Sequence, residues 1–130
     1  MAKKILTLKL LKGKYGVCRL NKTQSIPEWS KKGEFFSITK TSDELSIVCS
    51  ENNIPNDVKC EKGWRILKIQ GPLDFSLIGI LASISLLLSQ NKISIFAIST
   101  YDTDYILVKN KDIDNAVKSL VKGGYEVVDQ

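Results

Sequence analysis

Hydrophobic and polar positions change rhythm near the middle of the chain. "KILTLKLL" alternates from Ile5 to Leu10, the period of a half-buried strand. "KGK" reads as a turn, and "YGVCRL", residues 15–20, as a second strand. Pro27 forbids an ordinary strand within "NKTQSIPEWSKKG", where Ile26 and Trp29 are expected to plug the edge of a core. "EFFSITKT" and "ELSIVCS" are β-rich runs joined by "SD", a tight-hairpin signal. "ENNIPNDVKCEKG" reads as a connector. Up to this point almost nothing has helical periodicity.

The second half differs. "WRILKIQ", residues 64–70, predicts a strand that Gly71 and Pro72 end. A helix is predicted through "LIGILASISLLLSQNK", with Asp74 or Ser76 as its cap. Leu77, Ile80, Leu81, Ile84, Leu87 and Leu88 form its apolar stripe, and Ser83, Ser85 and Ser89 its outer face. "ISIFAIS" and "YILVKN" predict two strands. "KDIDNAVKSLVKGG" predicts a short amphipathic helix with Ile113, Ala116, Val117 and Leu120 inward. Gly123 or Gly124 supplies its left-handed stop. "YEVVD" closes as a strand. The order βαββαβ is that of an α+β, ferredoxin-like fold, which hosts many functions.

Composition narrows the function classes. The 130 residues are 43% hydrophobic and 25% charged, as in ordinary globular chains. A net charge of +5 is spread over scattered lysines with no run of five and no aromatic interleaving. A nucleic-acid surface is therefore not expected. Histidine is absent and the three cysteines, Cys18, Cys49 and Cys60, are widely spaced. His-based triads and the usual His/Cys zinc sites are excluded, and no cofactor or metal is expected. Cys18 and Cys49 sit in strand-like runs and read as small buried hydrophobes of a reducing compartment. No signal peptide and no membrane-spanning run is read, so a cytoplasmic location is expected.

Two segments carry candidate chemistry. "GPLDFSLIG", residues 71–79, joins a strand to a helix N-terminus, whose unpartnered N–H groups and positive dipole end suit a carboxylate. The same residues also read as a plain capped turn, with Asp74 as cap, Phe75 in packing and Gly79 in helix–sheet contact. "STYDTDY", residues 99–105, lies between two core strands. On an extended segment Asp102 and Asp104 would point to one side, and Tyr101, Thr103 and Tyr105 to the other. One carboxylate could receive an ammonium group, or the segment is only a polar hairpin turn.

"GPLDFSLIGILAS" and "IFAISTYDTDYILV", with "YGVCRL", "FFSITKTSDELSIVC" and "GW" upstream, resemble the ACT-domain family. More narrowly they are similar to small bacterial tandem-ACT proteins, relatives of cytosolic arginine sensors and of aspartokinase regulatory domains. The resemblance implies a degenerate ACT-like subdomain over residues 1–60 and an ACT domain over 61–130. It implies a regulatory, homodimeric module that binds an amino acid and has no catalytic residues. The implied ligand-binding residues are Asp74, Phe75, Ser76, Leu77, Gly79 and Ile80 on one segment and Thr100, Tyr101 and Asp104 on the other. The arginine-sensing relatives carry an acidic residue just before the helix, where this chain has Ser76, Leu77 and Ile78. Arginine is therefore not the expected ligand. The competing expectation is a protein-interaction module with a vestigial ligand site.

Overall fold

The computed structural model describes residues 6–70 and 79–130. The described strands are β1 (Thr7–Leu10), β2 (Tyr15–Leu20), β3 (Ser37–Lys40), β4 (Leu45–Ser50), β5 (Cys60–Ile69), β6 (Ile95–Ser99), β7 (Asp104–Lys109) and β8 (Glu126–Asp129). The helices are α1 (Ile80–Gln90) and α2 (Ile113–Lys122), with short 3-10 turns between elements. The chain forms two compact units, Gly13–Trp64 and a second built from residues 6–12 and 65–130.

In the Gly13–Trp64 unit the strand order is β3-β4-β2-β5. Thr41 makes the β3–β4 hairpin: its N–H donates to the Glu44 carbonyl at 2.9 Å, closing the turn that the "SD" pair predicts. Its hydroxyl oxygen accepts from the N–H groups of Asp43 and Glu44, each at 3.1 Å. Cys18, Leu20, Leu45, Ile47, Cys49 and Ile54 form the core, with Trp29 packed against it. Ile26 does not plug this core; it is 42% exposed. Pro27 starts a 3-10 turn over Glu28–Lys31, and the Ser30 hydroxyl donates back to the Pro27 carbonyl at 2.6 Å. That turn leaves Trp29 half-buried against the core and Ile26 outside.

β5 starts at Cys60, inside the stretch whose polarity reads as a connector. Its first residues pair with β2 through Val17↔Glu61 and Cys18↔Cys60. Glu61 and Lys62 are exposed, so no apolar alternation marks the strand. The Gly63 N–H donates to Glu51 Oε1 at 3.0 Å, beside a register shift on β2 between Tyr15 and Val17.

The second unit has the βαββαβ order β5-α1-β6-β7-α2-β8. Its strands lie in the order β6-β7-β5-β1-β8. β1 fits between β5, antiparallel at Leu8↔Ile69, and β8, parallel at Leu8↔Val127. A boundary at residue 60 assigns β1 to the first subdomain, whereas its pairing puts it in the second unit. Leu8, Leu67, Ile69, Ile84, Leu88, Ile106, Val108, Ile113, Ala116 and Leu120 make one core. Both helices pack their stripes onto this sheet face, with Ser83 and Ser89 left outside as predicted and Ser85 half-buried. α2 ends where Gly124 takes a φ of 96°, and the Tyr125 N–H donates to the Leu120 carbonyl at 3.0 Å. Among the described residues no helix is long and apolar enough to cross a membrane.

Candidate functional site

The acidic segment is a hairpin turn, and every candidate on it falls within the second unit. β6 and β7 pair in register from Ile95↔Val108 to Ser99↔Asp104. Thr100 to Thr103 close the turn. The Thr100 N–H donates to the Thr103 carbonyl at 2.8 Å, and the Thr100 hydroxyl donates to the same oxygen at 3.0 Å. The Thr103 N–H donates to the Thr100 hydroxyl oxygen at 3.3 Å. The tight turn breaks the side-to-side alternation that an extended segment would have. Asp102 is exposed near the tip, whereas Asp104 is half-buried in β7.

Asp104 shares its strand face with Ile106 and Val108, both in the core beneath the helices. Directly across the ladder, the Ser99 hydroxyl donates to Asp104 Oδ1. A carboxylate has about four acceptor positions, so one serine leaves capacity for an ammonium group. Tyr101 stands at the tip and is 83% exposed. It therefore does not share a buried wall with Asp104. Thr100 spends its hydroxyl inside the turn.

Thr103 is the residue that sequence reasoning missed. It is 5% exposed, and its hydroxyl donates to the Ile69 carbonyl at 2.5 Å. This bond pins the turn to the last residue of β5. The signal available in the sequence was a threonine between two aspartates immediately before a core strand. A hydroxyl in that position reads as turn chemistry and not as a buried anchor.

From Ile69 the chain continues to the start of α1. Asp74, Phe75, Ser76 and Leu77 lie outside the described residues. The helix begins at Ile80, later than its apolar pattern suggests, with Gly79 as its N-cap. The capping position is thus held by glycine and not by Asp74 or Ser76. Gly79 has a φ of 81°, a left-handed backbone in which a side chain would be strained. It supplies no capping oxygen, and the first turn of α1 contains no acidic residue. The first helical bond runs from the Ser83 N–H to the Gly79 carbonyl at 2.8 Å. The N–H groups ahead of Ser83 sit at the positive end of the helix dipole. Ile80 is half-buried against the core.

A groove of about 550 Å³ lies at the opposite end of α1, lined by Leu87, Asn91, Asn115, Lys118 and Lys122 among others. None of the sequence-predicted ligand-binding residues lines it. Among the described residues no cluster of His, Cys, Asp or Glu is arranged to hold a metal ion.

Comparison with known proteins gives the class. The family model described as ACT domain matches residues 59–122, and a second model, for an N-terminal domain, matches residues 13–57. A crystal structure of a protein from Agobacterium tumefaciens is 41% identical, with a TM-score of 0.92, over 98% of this chain and 96% of that one. A Bos taurus protein named cytosolic arginine sensor for mTORC1 subunit 1 is 25% identical over 100 residues, 68% of this chain. The match spans only 30% of that relative's length. Aspartate kinase from Clostridium acetobutylicum shares the fold at a TM-score of 0.65 and 16% identity, over 87% of this chain and 33% of that one. The chain belongs to the ACT-domain family, a class of regulatory modules.

Proposed function

We propose that this protein is a non-catalytic regulatory module of the cytoplasm that binds a free amino acid in its second unit, working as a homodimer. The observation that carries the reading is the Thr103–Ile69 hydrogen bond, which ties the acidic turn to the strand end leading into the α1 entry. The two segments have opposite polarity. Among the described residues the α1 N-terminus has donors and no capping side chain, which suits a carboxylate. Asp104 is an acceptor on the helix-covered face, which suits an ammonium.

In this reading the N–H groups at Gly79 and Ile80 take the α-carboxylate, and Asp74, Phe75, Ser76 and Leu77 before them line the side chain of the ligand. Asp104 receives the amino group, and Thr100 and Tyr101 shape the turn beside it. The name of the bovine relative supports an amino acid as the ligand class. Ser76, Leu77 and Ile78 offer no carboxylate to a guanidinium, so small or apolar amino acids fit better than arginine.

The test is a thermal-shift screen of the purified protein against the twenty amino acids at several concentrations. A ligand that binds only the folded state raises the melting temperature as its concentration rises. One or a few uncharged amino acids are expected to do so. No shift with any amino acid at millimolar concentration would contradict the proposal.

A further inference from the structure

All three cysteines of the chain meet on one face of the Gly13–Trp64 unit, far apart in sequence and on three neighbouring strands. Cys18 is on β2, Cys49 on β4 and Cys60 at the start of β5. All three are free thiols. Cys18 and Cys49 are 1% and 0% exposed, while Cys60 is half-buried.

The ladder decides which two can bond. Cys18 and Cys60 are direct partners across the antiparallel β2–β5 pair. The next pair along is hydrogen-bonded: the Arg19 N–H donates to the Lys59 carbonyl at 3.0 Å. Hydrogen-bonded and non-hydrogen-bonded pairs alternate along an antiparallel ladder, so Cys18 and Cys60 occupy a non-hydrogen-bonded pair. Cα atoms in such a pair are roughly 4.5 Å apart, inside the range of about 4.4–6.8 Å that a disulfide spans. Cys49 is opposite Gly16, so it is diagonal to Cys18. Diagonal positions lie roughly 7–8 Å apart, beyond disulfide reach without backbone movement.

We propose that Cys18 and Cys60 are a modification site, a reversible cross-strand disulfide formed by hydroperoxides. The half-buried Cys60 sulfur attacks the peroxide first. Its S–O bond forms as the O–O bond breaks, giving a sulfenic acid, while the leaving oxygen takes the Cys60 proton and departs as water, or as an alcohol from an alkyl hydroperoxide. The Cys18 sulfur then attacks Cys60 sulfur. The S–S bond forms, the S–O bond breaks, and the hydroxyl leaves as water with the Cys18 proton. Two thiols lose two electrons and one peroxide gains them. A small dithiol reverses the change by exchange. The hydrogen bond with Cys49, together with burial, pushes the Cys18 thiol up, so its proton leaves with the hydroxyl only as the S–S bond forms. Cys49, diagonal to Cys18 on the neighbouring strand, does not join the bridge.

The test is peptide mapping by mass spectrometry of the folded protein, reduced, treated with hydrogen peroxide, and blocked with a maleimide. A Cys18–Cys60 linked peptide, lighter by two hydrogens and lost after dithiothreitol, is expected. Cys49→Ala should still form the bridge and Cys60→Ser should not, with circular dichroism confirming that each variant is folded. Recovery of Cys18 as a free thiol beside a Cys60 sulfinic acid would overturn the proposal. So would a bridge between Cys18 and Cys49. The wild-type map decides between these outcomes by itself if a variant fails to fold.

Discussion

The Thr103 hydroxyl donates to the main-chain carbonyl of Ile69 at 2.5 Å, linking a hairpin turn to the end of a strand 34 positions earlier. The bond is buried, so its loss cannot be made good by water. Thr103→Val keeps the shape and removes the donor. It is expected to cost about 1–3 kcal/mol, the penalty for an orphaned buried acceptor. Thr103→Ser should recover most of that loss. Urea denaturation followed by circular dichroism measures both, and equal stabilities of the valine and serine variants would remove the anchoring role.

Gly79 gives a prediction about the helix entry. Its φ is 81°, and a Cβ added there would meet nothing within 4 Å among the described residues. Any cost of Gly79→Ala is therefore backbone strain and not a clash, about 1–2 kcal/mol. Gly79→Asn should cost less, because asparagine tolerates the left-handed region better. Thermal melts of the two variants check the order.

The helix stripe predicts the largest stability losses. Ile84 and Leu88 are 0% exposed and belong to the core that also holds Leu8, Ile69 and Ile106. Leu88→Ala should cost about 2–5 kcal/mol, while Leu86→Ala, at a position 59% exposed, should change little. Denaturant midpoints of the pair test the assignment of faces.

The Gly13–Trp64 unit should weaken in alkali. Burial first, and the Glu34 charge second, raise the Tyr15 phenol above its ordinary value. The unfolded chain loses that proton near pH 10, before the folded chain does. The stability Tyr15 contributes is thus fully present below about pH 10 and is lost as the pH rises through the folded value. The Cys49 hydrogen bond first, and burial second, raise Cys18 in the same direction, whereas the same hydrogen bond lowers Cys49. Tyr15→Phe should flatten the fall in melting temperature between neutral pH and the alkaline limit. The ring contact with Phe35, at 5.9 Å between centroids, survives that change.

Elements with a strong period were legible. The stripe Ile80, Leu81, Ile84, Leu87 and Leu88 gives α1, and "YGVCRL" gives β2 without error. What was not legible depends on neighbours. β1 alternates, which reveals a buried face but not its place between β5 and β8. The start of β5 was hidden because Glu61 and Lys62 point to solvent in a paired strand. α1 starts later than its apolar pattern because Gly79 turns left-handed within that pattern. At the site, Asp104 was legible as a carboxylate near a turn, but its partner Ser99 follows only from the hairpin register. Thr103 was invisible as an anchor because its partner is a backbone carbonyl that no side-chain motif announces.

The most direct measurement is calorimetric titration of Asp104→Ala with the amino acid that the wild-type protein binds, beside a thermal melt of the same variant. Removing the acceptor of the ligand ammonium, a charge-assisted hydrogen bond, should weaken binding by about 1.5–3 kcal/mol, roughly ten- to a hundredfold. The melting transition should stay cooperative. Unchanged affinity in a folded Asp104→Ala protein would contradict the account, because the ammonium would then be held elsewhere.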